Sequence, residues 1–236
     1  MKQLLFSLTL LTAFQSISAQ TNQDVSFYFG ASIGSAFTLG DFKEADISNP
    51  DAGFAKDGTK LDFFGGYFLN DKITLTGTFR YQTFDTEIED LVNEFNTETP
   101  NANFSANTDS WQVYSLLVGA AYKINVFEKF AIFPRIGIGP MLVNNPSINV
   151  SSPDPVITQN FIRSAESGIG LGYEFGIGLT SNLGKRLALM PTFTFSGGIA
   201  TISDVTTVTD NIEVNGNYNV VVQSFNLGIS LAYKFY

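Results

Sequence analysis

The sequence predicts an all-β fold, an eight-stranded antiparallel up-and-down transmembrane β-barrel with long extracellular loops and short periplasmic turns. Three observations favour it: a long alternating strand at the carboxyl end, an amino-terminal export signal, and connections that alternate between long and short. In residues 218–236, seven of the eight odd-numbered positions from Val221 to Phe235 are apolar, and most residues between them are small or polar. Soluble strands usually have about 5–6 residues, whereas a tilted strand needs about 9–11 to cross a bilayer.

The first 19 residues predict a signal peptide. Met1 and Lys2 form a short basic start, 4–14 is a mostly apolar run, and 16–20 offers small residues for cleavage after Ala19. Eleven residues are too few for a membrane-spanning helix, which needs roughly 20. No cysteine follows, which excludes a lipoprotein anchor. We therefore expect residues 20–236 to form one mature barrel domain.

The first four predicted strands are 25–38, 59–69, 73–84 and 110–124. Each places apolar side chains at every second position, which is the period of a strand with one apolar and one polar face. The outward rows are Val25, Phe27, Phe29, Ala31, Ile33 and Phe37; Leu61, Phe63, Tyr67 and Leu69; Ile73, Leu75, Phe79 and Tyr81; and Tyr114, Leu116, Val118, Ala120, Tyr122 and Ile124.

The last four predicted strands are 130–142, 167–180, 187–199 and 218–236. In the sixth, apolar residues from Ile169 to Leu179 alternate with glycines and Glu174. Pro134 and Pro191 interrupt the fifth and seventh strands, and because proline cannot donate to a ladder we expect bulges or rim positions there.

The connections indicate the topology. Residues 39–58, 85–109, 143–166 and 200–217 form long polar loops, whereas 70–72, 125–129 and 181–186 are short. This asymmetry is typical of outer-membrane barrels. A soluble β-sandwich has no reason to sort its loops in this way. A soluble barrel would need an apolar interior, and here the second face is Gly, Ser, Thr and a few charges.

Composition excludes several function classes. The chain has 13 Lys and Arg against 22 Asp and Glu, a net charge of −9, which argues against nucleic acid as a partner. Without cysteine there are no disulfides or thiolate metal sites, and without histidine there is no Ser-His-Asp triad. We expect neither enzyme activity nor a cofactor.

The terminal segment Leu227-Gly228-Ile229-Ser230-Leu231-Ala232-Tyr233-Lys234-Phe235, the alternating strands and the signal resemble the small eight-stranded outer-membrane barrel family. That family includes OmpA-type and OmpX-type barrels and the PorT-like outer membrane protein β-barrel domain group. The resemblance implies outer-membrane localisation, contact with outer-membrane lipid and lipopolysaccharide, a monomer, and recognition of a terminal aromatic by the barrel-assembly machinery. Phe235 continues the outward row, and Tyr236 follows it on the other face.

The predicted lumen carries charges of both signs, which form a candidate network of Lys60, Asp62, Arg80, Lys123, Arg135, Glu174 and Lys234. An eight-stranded barrel is only wide enough for its side chains to fill, and unpaired buried charge is costly. We therefore predict an ion-pair plug in which Glu174 pairs with Arg135 or Arg80. A narrow or gated pore is the alternative.

The connection 85–109 holds seven carboxylates and no lysine or arginine. Its spacing lacks the glycine of an EF-hand, so it predicts a solvated acidic loop rather than a calcium site. Aromatic residues near strand ends predict interface girdles: Tyr67, Tyr81, Trp111, Tyr114, Tyr122, Tyr173 and Tyr233. The hypothesis for function is a structural or surface-interaction role through acidic loops. An accessory role in a secretion apparatus, with envelope protein partners, and a narrow small-solute channel are the alternatives.

Overall fold

A computed structural model describes residues 27–235 apart from 46–48, 50, 128–129, 155, 158, 184–185 and 210–211. The predicted signal peptide, the first two residues of the first predicted strand and Tyr236 lie outside the described residues. In the described part of the chain, no helix is long and apolar enough to cross a membrane.

Twelve strands lie within the described residues. Their bounds are β1 Phe27–Thr38, β2 Ala55–Phe68, β3 Ile73–Thr86, β4 Ser105–Thr108, β5 Trp111–Tyr122, β6 Ile124–Phe127, β7 Phe130–Asn144, β8 Ile148–Ser151, β9 Asn160–Arg163, β10 Ser167–Asn182, β11 Leu187–Thr209 and β12 Ile212–Phe235. A 3₁₀ helix spans Gly40–Phe42, and helix α1 spans Glu89–Glu98.

Eight long strands close into an antiparallel ring, which confirms the predicted architecture. They follow the order β10, β7, β5, β3, β2, β1, β12, β11, and β11 pairs back onto β10. The carboxyl-terminal strand closes the ring against the first strand, in continuous register from Phe27 opposite Phe235 to Thr38 opposite Ser224. Closure removes the free edges that would otherwise leave backbone groups unpaired in lipid.

Alternation decides which side chains face inward. On β12 the odd-numbered Phe225, Ile229 and Leu231 are exposed, whereas the even-numbered Ser224 and Asn226 are buried in the lumen. The outer surface is therefore apolar around the ring, as the strand period predicts.

The prediction that 200–217 forms a polar loop is wrong. Both flanking strands continue far beyond the ring, so that β11 has 23 residues and β12 has 24. The two strands pair with each other from Thr209 opposite Ile212 to Leu187 opposite Tyr233. The projecting part of β11 pairs with β9, which pairs with β8, which pairs with β4. We call this extension at the long-loop end, formed by 205–209, 212–218, β9, β8 and β4, the outer sheet.

The two prolines do not form bulges. Pro134 lies opposite Ile177 and Pro191 lies opposite Ile229, each in unbroken register. On the other side of each proline the ladder lapses briefly: between β5 and β6 opposite Pro134, and between residues 178 and 181 of β10 opposite Pro191. The register is the same on both sides of each lapse. The missing N–H is therefore absorbed by a local gap rather than by an extra residue.

Candidate functional site

Five of the seven predicted lumen charges form one network. Asp62 accepts hydrogen bonds from Lys60 Nζ and Arg80 Nε, each at 2.7 Å. Arg80 also reaches across the lumen to Glu174, and Arg135 Nε lies 2.8 Å from Glu174 Oε1. The sequence left Arg80 and Arg135 as alternatives for Glu174, and the structure brings both to it. Asp62 of β2 and Arg80 of β3 are register partners, which brings their side chains into contact.

The network is buried and carries one excess positive charge. The side chains of Lys60, Asp62 and Arg80 are at most 2% exposed, while that of Arg135 is 14% exposed. Arg80 Nη1 and Arg135 Nη2 are buried without a hydrogen-bond partner among the described residues. With two carboxylates for three cations, each carboxylate is shared, so loss of either one leaves buried guanidinium charge uncompensated.

Lys123 and Lys234 lie outside this network, at the short-turn end of the lumen. Lys123 falls between β5 and β6 rather than within a predicted fourth strand. Lys234 Nζ donates to Asn182 Oδ1 at 2.6 Å. Both line a small cavity of about 70 Å³ together with Asn125 and Asn182. Both residues lie far from Glu174 along the strands. An inward-facing position in the alternation therefore did not suffice to place them in the ion network.

Uncharged polar side chains form a layer beside the ion network. Gln82 Nε2 donates to Asn226 Oδ1 at 2.9 Å and to Ser224 Oγ at 3.1 Å. Asn226 Nδ2 donates to Ser196 Oγ at 2.8 Å. Because these groups are buried and hydrogen-bonded to one another, they fix the side chains that cross the lumen.

An apolar cluster closes the long-loop end of the lumen, where the sequence predicted none. Phe42 of the 3₁₀ helix inserts between Phe84 and Trp111, with ring centroids 5.1 and 5.4 Å away. Trp111 is 1% exposed and donates from Nε1 to Gly53 O at 3.0 Å, so its predicted girdle position is wrong. Other members are Ala36, Ala55, Val113, Met141, Val143, Ala200, Ile202, Val205, Val220 and Val222. Tyr67, Tyr122 and Tyr173 do lie on the outer surface.

The acidic connection 85–109 is ordered rather than an open loop. It contains α1, whose Leu91 packs with Phe104, Ile148 and Val150 over the outer sheet. Glu87 forms an ion pair with Lys56 at 2.8 Å. That hydrogen bond raises the pKa of Lys56 above its ordinary value. Within the described part of the chain, no three carboxylates converge as a metal site.

A cleft of about 300 Å³ opens between the outer sheet and residues 51–53. Arg163 and Tyr218 line it, with the Arg163 guanidinium carbon 4.5 Å from the centre of the Tyr218 ring. The Tyr218 hydroxyl is buried beside the Arg163 guanidinium, and burial raises its pKa. Neither residue was singled out from the sequence. The signal available was Arg163, one of few basic residues in the otherwise acidic long connections.

Comparison with known families accounts for this architecture. The family described as outer membrane protein beta-barrel domain matches residues 6–235. The chain belongs to this family. It is therefore an integral outer-membrane β-barrel protein, located in the outer membrane, and its long-loop end is the extracellular end. Comparison with curated proteins gives no match.

Several solved structures are similar to this chain at low sequence identity. A major outer membrane protein from Thermus thermophilus has a TM-score of 0.50 at 15% identity, with 89% of this chain and 99% of that chain covered. OprG from Pseudomonas aeruginosa has a TM-score of 0.49 at 12% identity, covering 91% and 97%. Ail of Yersinia pestis has 0.47 at 13%, covering 90% and 100%. At 15% identity, the likeness to the Thermus thermophilus protein concerns the fold alone.

Proposed function

We propose that this barrel is a non-enzymatic surface-interaction protein, in which the outer sheet and its acidic helix contact extracellular partners and the filled lumen serves as a structural plug. The observation that carries the proposal is the outer sheet itself. β11 and β12 extend beyond the ring and recruit β9, β8 and β4 into a platform with its own apolar core. Ordered structure of this size outside the membrane contributes nothing to ring closure, and loops on a rigid scaffold are common binding elements.

The acidic face of α1 supports a role for charge in such contacts. Asp90, Glu94 and Glu98 are exposed on this helix. An exposed row of one sign steers partners of the opposite sign and changes the rate of association more than the final affinity. Partners with basic surfaces, whether proteins or polysaccharides, are therefore favoured over nucleic acid.

The proposal is tested by removing the platform while keeping the ring. Ile202 and Tyr218 are register partners, so replacing residues 203–217 with Asn-Gly creates a two-residue hairpin. Cells displaying the full chain should bind immobilised extracellular-matrix proteins or polysaccharides, and cells with the shortened chain should not. The triple variant Asp90→Asn, Glu94→Gln, Glu98→Gln isolates the charge. Equal adherence of the full and shortened chains would contradict the proposal.

The two other hypotheses predict different results. Buried ion pairs and the apolar cluster oppose a channel, so planar bilayers should show no steady openings. Steady openings that change with Glu174→Ala would favour the pore. An accessory role in secretion predicts a stable complex with other envelope proteins in a detergent pull-down, which a surface-interaction role does not require.

A further inference from the structure

We infer that the extracellular cleft beneath the outer sheet binds an acidic sugar, with the ligand's carboxylate on Arg163. The inference rests on the proposed surface-interaction role and names the ligand class of one site within it. The cleft's volume of about 300 Å³ lies at the lower end of the range for ligand pockets, which suits a single sugar unit.

The floor of the cleft is one face of a three-stranded part of the outer sheet. Thr207 of β11 lies opposite Arg163 of β9 on one side and Val214 of β12 on the other, and Val205 lies opposite Gly216. Side chains at alternate positions share a face. Phe161, Arg163, Val205, Thr207, Gly216 and Tyr218 therefore point to the same side, where residues 51–53 form the opposite wall.

Arg163 is the group that selects an anion. It has no carboxylate partner among the described residues, and its guanidinium lies against the Tyr218 ring. A guanidinium offers five donors in a planar fork that matches a carboxylate. Held against an aromatic face, it loses little further freedom when a ligand binds.

The remaining lining groups fit a hydroxyl-rich ring. The Tyr218 hydroxyl is a buried donor and acceptor beside the Arg163 guanidinium, and Asp51 in the opposite wall is an acceptor for sugar hydroxyls. Aromatic side chains that line the cleft, Phe161 and Tyr218, offer apolar surface to the ring carbons. The surrounding extracellular surface is strongly acidic, so a ligand with one carboxylate is favoured over a polyanion, which that surface repels.

Gly216 provides a precise way to block the cleft. A Cβ atom at this position would meet nothing within 4 Å, because the residue lines the open space. Its φ is not positive, and it lies within a strand, where valine is favoured. Gly216→Val should therefore fill the cleft without disturbing the fold. Gly77→Val is a matched control, since a Cβ at Gly77 also meets nothing but lies in the barrel wall.

The test is titration calorimetry and saturation-transfer NMR of the purified full chain in detergent with sodium glucuronate. A ligand of about 13 non-hydrogen atoms should bind with a Kd on the order of 1 mM. Gly216→Val should abolish binding, Arg163→Gln should weaken it about tenfold or more, and Gly77→Val should leave it unchanged. Arg163→Lys keeps the charge but loses the fork, so its affinity should fall between those of Arg163→Gln and the unaltered protein.

Neutral glucose should bind at least tenfold more weakly than glucuronate. Failure of glucuronate to bind, equal binding of glucose, or equal binding of a peptide carboxylate would overturn the sugar assignment. If glucuronate does not bind but removal of residues 203–217 still abolishes adherence, this inference fails and the proposed function stands. If that removal changes nothing while glucuronate binds through Arg163, the cleft is real and the adhesive role fails.

Discussion

Replacing Glu174 with glutamine should destabilise the barrel more than any other single carboxylate-to-amide change except Asp62→Asn. Glu174 forms ion pairs with Arg80 and Arg135, and its loss raises the excess positive charge of the lumen network from one to two. Removing one partner of a buried ion pair costs about 3–5 kcal/mol. Because Arg135 is partly exposed and glutamine keeps an acceptor oxygen, we expect about 3 kcal/mol.

The assay is urea unfolding in lipid vesicles, monitored by tryptophan fluorescence. The chain has one tryptophan, Trp111, buried in the apolar cluster, so its emission reports exposure of the lumen. With an unfolding slope of about 1–3 kcal/mol per molar urea, the midpoint should fall by roughly 1–3 M. Glu94→Gln, an exposed change on α1, is the control and should leave the midpoint in place.

A double-mutant cycle separates pairing from general charge loss. Arg135→Gln removes one cation and leaves Glu174 paired with Arg80, so it should cost little. The Arg135→Gln, Glu174→Gln double variant should be more stable than the sum of the single changes predicts, by about 1–2 kcal/mol. A Glu174→Gln midpoint equal to that of Glu94→Gln would refute the idea that the network stabilises the barrel.

Three further predictions follow from other parts of the structure. Phe42→Ala should cost about 3–5 kcal/mol and shift Trp111 emission to the red, since it opens a cavity against the indole; an unchanged spectrum would contradict this. Gly34→Ala should prevent assembly, seen as loss of heat-modifiable migration on gels, because its Cβ would lie 1.9 Å from a backbone oxygen of β12; Gly77→Ala should migrate normally. Lys56→Gln should change the free energy of unfolding by less than about 1 kcal/mol, because Lys56 is exposed and its partner Glu87 is only partly buried. Since the pKa of Lys56 is raised, that small contribution is present at neutral pH and is lost only as pH rises above about 10.4.

The ring could be predicted from the sequence because a period of two has only one physical meaning at these lengths. Every long strand was found, and inward parity brought five lumen charges together. The same alternation predicts the position of Trp111. The outward row of the fourth predicted strand is even-numbered, from Tyr114 to Ile124, so the odd-numbered Trp111 belongs to the lumen. Its aromatic character alone predicts a girdle position, whereas the alternation of the strand places it in the lumen.

The outer sheet could not be predicted in the same way. β8 and β9 have only four residues each, too few to show a period. They pair with each other, but their other partners, β4 and β11, are distant in sequence, as with Arg163 opposite Thr207. Helix α1 had a usable signal, since Leu91 and Phe95 are spaced by one turn, but the dense carboxylates around them favoured an open loop. The cleft is lined by β9 and by the projecting ends of β11 and β12, which the sequence did not predict, so Arg163 was its available sequence signal.

An irregularity within β11 joins the outer sheet to the barrel. This strand pairs with β10 as far as Ile202 opposite Gly168, and further on with β9 at Thr207 opposite Arg163. Between these points the register with β12 shifts, and Asp204 takes a φ of +60° while donating its N–H to Asn217 Oδ1. An irregularity of this kind bends and twists a strand. β11 can therefore leave one neighbour and take another without a flexible linker, which holds the cleft in a fixed orientation above the membrane.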